Sequence, residues 1–219
     1  MYKRQIQSFT KNQEKLYQEE LVSNFKENGF QIVDFNELTE IEKRKTTYYF
    51  SKTIYPMLTP MVYDFYHTYP ILGNRILTFS VITEDPHKKD SFKNSFVQIP
   101  KNLPRFFEIE RNGCYLFVPI EEIILRHLDK LYKNIKIIST SLFRITRNGD
   151  FDYDDYDETE VNFVEEIQEK LKGRKTGRVV RLEVQEGFNK PILEQLLERY
   201  NLDQENVFTH KKMLDYTSF

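Results

Sequence analysis

The chain contains no tryptophan and one cysteine, Cys114. A single thiol cannot close an internal disulfide or build a cysteine-rich zinc site. Its histidines, His67, His87, His127 and His210, never recur three or four residues apart, the spacing that puts two ligands on one helical face. No metal site is therefore expected. Only seven glycines and eight prolines interrupt 219 residues, which argues for long regular elements and few tight turns. The glycines at 29, 73, 113, 149, 173, 177 and 187 never form G-x-G, and the closest pair, GRKTG at 173–177, lacks a following Lys-Ser/Thr. Phosphate-binding loops need closely spaced glycines so that backbone N–H groups can approach phosphate oxygens. Neither a Walker-type nor a Rossmann-type loop is present. There is no G-x-S-x-G elbow, and Cys114 lies beside a hairpin turn with no histidine near it in sequence, so nucleophilic catalysis has no local support.

Long apolar runs are also missing. The longest charge-free stretch, residues 53–63, has eleven residues, short of the roughly 18 to 20 needed to span a bilayer. The opening MYKRQ continues into polar sequence without an apolar h-region, unlike a secretory signal. A cytoplasmic protein is expected. Neither sign of charge dominates, with 32 Lys and Arg against 34 Asp and Glu. No RNA-recognition signature occurs, and no nucleic-acid partner is expected.

What the chain does have is aromatic bulk, 18 Phe and 14 Tyr, enough to fill the core of one ordinary domain, or of one domain with an appendage. Residues 2–28 carry Ile6, Phe9, Leu16, Leu21, Val22 and Phe25 at roughly helical spacing, with Gly29 as a stop. A shorter helix is predicted from Thr39 to about Lys52, and residues 53–73 read as irregular because Pro56 and Pro60 disfavour helix before them. Leu77, Phe79 and Val81 then alternate as a strand, and a turn at 85–90 leads to a second strand through Phe96, Val97 and Ile99. Asn112-Gly113 predicts a type I′ hairpin pairing Ile109 with Leu116 and Phe107 with Val118. Pro119 suits the first turn of a helix with the stripe Ile120, Ile124, His127, Leu128 and Leu131.

Residues 135–148 make the longest predicted strand, followed by an acidic run at 150–160 and a helix marked by Val161, Val164, Ile167 and Leu171. Val180, Leu182 and Val184 mark another strand, and Ile192, Leu193, Leu196 and Leu197 a last helix from about Asn189 to Tyr200. Helices interleaved with strands after a β-meander give α+β or mixed α/β architecture with a partly antiparallel sheet.

Several features bear on chemistry. The acidic run 150–160 reads either as a calcium loop, although the glycine of such loops is absent, or as a solvated loop before a helix N-terminus. Lys170, Lys172, Arg174, Lys175, Arg178 and Arg181 form either a dipole-favoured helix end or a polyanion patch. In a regular strand Ile135, Ile137, Phe143, Ile145 and Arg147 share one face, with Arg144 and Thr146 on the other. Arg147 at the end of an apolar face needs a counter-charge: an internal pair with the acidic run, or a ligand anion. His127 on an apolar stripe is either a packed core histidine or a ligand, and the strand aromatics are either core or stacking platforms.

Six segments in order carry a family resemblance: YYFSKTIYPMLTP (48–60) with HTYPILGNRIL (67–77), VQIPKNLPRFFEI (97–109), YLFVPIEEIILRHLDKLY (115–132), FRITRNGDFD (143–152) and GRVVRLEV (177–184). Together they resemble the middle, or head, domain of bacterial polyphosphate kinase, the type whose catalytic half is built from phospholipase-D-like domains. The resemblance implies a head domain over 45–205, the end of a helical N-terminal domain over 1–44 and an exit segment over 206–219. It implies a three-layer α+β fold, a mixed, partly antiparallel sheet with helices on both faces, preceded by a long N-terminal helix. It further implies a parent enzyme, a phosphoprotein, that reversibly transfers the ATP γ-phosphate to polyphosphate through a phosphohistidine. The catalytic, ATP-contacting and Mg²⁺-binding groups of that family lie in other segments, so no catalytic, cofactor or metal residue is carried over. Arg105, Arg144 and Arg147 lie in matched motifs and are the residues expected to face polyphosphate. Thr68 stands where the family usually has proline. The expected partners are the remaining polyphosphate kinase domains and a second copy of the chain. The helix stripe at 1–28 is expected to pack on that copy, to pack back on the head, or to be mobile. The alternative reading is a freestanding module that binds a protein or a phosphorylated ligand; a natural reading frame extending past both ends would favour the fragment.

Overall fold

The computed structural model describes residues 2–63, 69–85, 88, 91–148 and 177–217. The predicted acidic loop at 150–160, the helix through Val161 and Leu171, the basic residues at 170–175, and His67 and His87 lie outside the described residues.

The chain opens with α1 (Tyr2–Leu16), passes through a π-helical turn (Tyr17–Leu21) and continues as α2 (Val22–Glu27). Gly29 ends the run with φ +80°, as its position in the sequence predicts. The buried side chains are Thr10 and Tyr17, however, while Phe9 is 71% exposed and Ile6, Leu16 and Val22 are also exposed. Of the predicted stripe only Leu21 and Phe25 are half-buried, Phe25 against the Phe30 ring at 4.6 Å. The docking face is polar: Glu14 Oε1 accepts the Lys211 N–H at 3.1 Å, and Tyr17 meets the Tyr216 ring edge-on at 5.2 Å.

After β1 (Phe30–Ile32), α3 (Glu40–Tyr49) starts at the Thr39 capping box, in which Thr39 and Glu42 satisfy each other's backbone N–H groups. Helical backbone then continues as a π turn (Phe50–Ile54) and a 3₁₀ turn (Tyr55–Met57). Residues 53–73 are therefore not irregular throughout. Besides these turns they contribute β2 (Pro60–Tyr63), whose leading proline suits the first residue of an edge strand.

The remaining strands are β3 (Thr78–Glu84), β4 (Phe92–Gln98), β5 (Phe106–Arg111), β6 (Cys114–Pro119), β7 (Ile137–Arg147), β8 (Val179–Gln185) and β9 (Val207–His210). The helices α4 (Ile120–Arg126) and α5 (Lys190–Tyr200) complete the described regular structure. Six strands form one sheet in the order β2-β4-β3-β7-β8-β9, antiparallel except for β8 and β9. A second sheet has the order β1-β6-β5, with β1 parallel to β6. The β5–β6 hairpin has the predicted register, Ile109 opposite Leu116 and Phe107 opposite Val118, with Asn112 and Gly113 at φ +52° and +79°.

Two apolar cores flank the large sheet. One joins its residues Phe79, Val81, Val97 and Leu142 to the small sheet, through Ile109, Leu116 and Val118, and to Phe50, Ile54, Ile123 and Ile124. The other joins Phe96, Phe143, Ile145, Leu182 and Val184 to Ile192 and Leu196 of α5. This is the expected α+β arrangement with helices on both faces, although the strands divide between two sheets. Each fully buried Phe, Leu or Ile contributes about 1.5–3 kcal/mol.

The regular alternation predicted for residues 135–148 fails at one point. The partner of Ile82 is Ser139 and that of Thr83 is Ile137, so Ile138 is an unpaired bulge residue. The bulge reverses parity: Ile137 packs on the first core with Leu142, while Phe143 and Ile145 enter the second. A second bulge follows Thr146, where Arg147 pairs with Val179 and Val180 is skipped. Val180 is accordingly exposed, contrary to the predicted stripe, and Val179 is buried in its place.

Candidate functional site

The three predicted arginines stand in different surroundings, Arg144 and Arg147 in the C-terminal half of β7 and Arg105 just before β5. Arg144 lies on the face of the large sheet opposite Phe143 and Ile145, directly across from Glu183 of β8. Its guanidinium donates to both Glu183 carboxylate oxygens, at 2.8 and 3.0 Å, and pairs with Asp215 at 3.1 Å. Arg181, two residues before Glu183, donates to the same carboxylate at 2.9 Å and lies over the Phe208 ring at 4.2 Å. His210 of β9 completes the group, with Nε2 3.5 Å from Glu183 and Nδ1 3.2 Å from Glu14, neither aligned as a hydrogen bond. Strand β8 thus brings one buried carboxylate between two guanidiniums and an imidazole. α1 closes the group with Glu14, and the segment after β9 closes it with Asp215.

Electrostatics follows from this crowding. Burial pushes the Glu183 carboxyl up, but His210, Arg144 and Arg181 outweigh it and hold the pKa at about 2. Burial works against the Arg144 charge, yet Glu183 and Asp215 raise its pKa overall. Arg181 goes down, first by burial and then by Arg144 and Arg75, which Glu183 only partly offsets. Burial likewise opposes the Asp215 charge, while the Thr217 hydrogen bonds, Arg144 and Arg105 lower its pKa.

Arg105 precedes β5 and makes a bidentate pair with Glu121 in the first turn of α4, both side chains being largely buried. Its guanidinium also lies 5.1 Å from the Phe106 ring centroid, and its Nε has no hydrogen-bond partner. The pair joins the start of the β5–β6 hairpin to the helix that follows it, an ordering role for a planar bidentate donor. Arg147 differs from both. Its guanidinium donates to backbone carbonyls, Gly177 at 2.8 Å and Leu72 at 3.1 and 3.3 Å, and lies over the Tyr200 ring at 5.8 Å. Among the described residues no carboxylate pairs with it. The three residues do not converge on one point: Arg105 and Arg144 are held by carboxylates, and Arg147 is held by dipoles.

His127 is a packed core histidine. Nδ1 donates to Ile123 O at 2.8 Å, Nε2 sits 3.0 Å from Thr47 Oγ1, and the ring stacks on Phe50 at 4.6 Å. Burial lowers its pKa, which favours the neutral ring. His210, by contrast, belongs to the ionic group, which its sequence neighbours Thr209 and Lys211 do not announce. Among the described residues no three of His, Cys, Asp and Glu are grouped as metal ligands would be, and no helix is long and apolar enough to cross a membrane.

A family model described as the polyphosphate kinase middle domain matches residues 42–219. The chain is 33% identical over 193 residues to a polyphosphate kinase of Dictyostelium discoideum, covering 88% of this chain and 18% of that protein. It is 32% identical over 207 residues to one of Halalkalibacterium halodurans, covering 94% and 29%. With one of Campylobacter coli it shares 29% identity over 202 residues, covering 92% and 28%. The fold is similar to that of a crystal structure of polyphosphate kinase from Porphyromonas gingivalis, with a TM-score of 0.71 and 15% identity, over 97% of this chain and 31% of that one. The chain therefore spans less than a third of the length of these relatives.

Proposed function

The chain belongs to the polyphosphate kinase middle-domain family, and from that premise we propose that it acts as the head portion of an enzyme that reversibly transfers the ATP γ-phosphate to polyphosphate. In this reading the phosphohistidine, ATP and Mg²⁺ belong to other portions of the enzyme. The head positions those portions, contributes to a homodimer in the cytoplasm and walls the path of the polyphosphate. The division into 1–44, 45–205 and 206–219 is part of the proposal; β1 and β9 are nevertheless hydrogen-bonded into the sheets of the middle division.

The observation that carries the reading is the buried ionic group. It ties α1, through Glu14, and the segment after β9, through His210 and Asp215, to one sheet face. A body that holds its entry and exit segments rigidly together is suited to positioning whatever they connect. Of the three arginines assigned to the anionic path, Arg147 alone has no carboxylate partner among the described residues, and Arg105 and Arg144 act through the carboxylates that fix them. The exposed Ile6, Phe9 and Leu16 supply the apolar surface for a second copy. The test is an ATP-to-polyphosphate transfer assay on this chain. No product is expected, and turnover that survives repurification overturns the scaffold role. Light scattering after size exclusion tests the dimer, which a strict monomer refutes.

A further inference from the structure

A cavity of 390 Å³ opens where β7 ends and β8 begins, and the described residues lining it include Tyr69, Arg147, Arg178, Arg199 and Tyr200. It is within the roughly 300–1,000 Å³ range of small-ligand sites. None of the described lining residues is acidic. Arg147 is fixed by Leu72 and Gly177 carbonyls; Arg199 lies over the Tyr69 ring at 4.9 Å. Among the described residues neither Arg178 nor Arg199 has a carboxylate partner, and both are exposed. The phenol groups of Tyr69 and Tyr200 are buried against each other, and neither hydroxyl is hydrogen-bonded to any further group among the described residues.

Three guanidiniums around one concavity, with two phenol hydroxyls beside them and no carboxylate among the described residues that line it, form an arrangement complementary to an oxyanion. A tetrahedral phosphoryl group offers several acceptor oxygens to planar guanidinium donors and to hydroxyls at once. We propose that this cavity is a binding site for phosphoryl oxyanions, built from Arg147, Arg178 and Arg199 with the Tyr69 and Tyr200 hydroxyls, and that it takes a short run of linked phosphates. The anion site rests on this geometry alone. The choice of linked phosphates over a single phosphate rests on the polyphosphate reading above.

The test is isothermal titration of the whole chain with tripolyphosphate, and separately with inorganic phosphate, at roughly 20 and 200 mM salt. Arg178 and Arg199 are exposed, so the double variant Arg178→Gln/Arg199→Gln is expected to fold, which thermal melting checks. Tripolyphosphate should bind at low salt, about tenfold or more weakly in that variant. A Tyr69→Phe/Tyr200→Phe variant should lose a few-fold while keeping both rings. Lys133→Gln, an exposed charge elsewhere, should bind like the unaltered chain. No binding by the unaltered chain overturns the site. Equal weakening by Lys133→Gln overturns it as well, by reducing it to diffuse charge. Inorganic phosphate binding as tightly as tripolyphosphate, and lost in the same double variant, keeps the anion site and removes the linked-phosphate reading.

Discussion

Replacing Glu183 by Gln removes the one carboxylate that Arg144, Arg181 and His210 share, while nearly preserving shape. The magnitude follows from linkage. The Glu183 carboxyl has an ordinary value of 4.5 and sits at about 2 in the folded chain, a difference of about 3 kcal/mol in favour of the ionised folded form. Removing one member of a buried ion pair costs about 3–5 kcal/mol, because the remaining charges stay buried. Glu183→Gln should therefore destabilise the chain by about 3 kcal/mol, lowering the midpoint of thermal unfolding by roughly 6–12 °C for a chain of this size. Because the folded value is depressed, the stabilisation is fully present above the unfolded value and is lost as pH falls through the folded value. Urea unfolding of both proteins should show a constant gap from pH 7 to about 5, shrinking to under half near pH 3. A gap below about 0.5 kcal/mol at pH 7, or one that does not change with pH, refutes the reasoning.

At the hairpin, nothing lies within 4 Å of a Cβ added to Gly113, whose φ is +79°. Gly113→Ala should thus cost about 1 kcal/mol through backbone conformation alone, read as a lower unfolding midpoint with unchanged denaturant slope. Burial depresses the His127 pKa below 6.5, so folding should weaken as pH falls below 6.5, where the unfolded chain binds a proton that the folded chain does not. The imidazole signals of His127 in NMR should titrate below the ordinary histidine range, and His127→Gln should remove this part of the pH dependence.

Local chemistry made parts of the fold readable. Asn112-Gly113 dictates a turn whose backbone requires positive φ, and the register of β5 and β6 follows from it. The Thr39 box and Gly29 likewise mark helix ends through groups a few residues apart. β1 and β9 were not readable, because each is only three or four residues long and gains its hydrogen bonds from a distant strand. The two bulges were hidden for a related reason. Ile138 and Val180 have side chains as suitable for a core as their neighbours, and only the competing demands of the two packed cores decide which residue is left unpaired.

The same limit governs the arginines. Alternation placed Arg144 opposite Phe143 and Ile145, and it lies there, but alternation says nothing of what lies across the strand. Glu183 is 39 residues from Arg144, and Asp215 and Glu14 come from opposite ends of the sequence. Which partner a guanidinium meets depends on those arrivals, so three arginines that look alike in their motifs end among different partners in the described residues. Among the described residues no carboxylate meets Arg147, and the reason is structural. The bulge at Thr146 brings it opposite Val179 at the edge of the second core, where Leu72 and Gly177 present carbonyls rather than carboxylates. Carbonyl dipoles fix a guanidinium without cancelling its charge, which is the condition the proposed anion site requires.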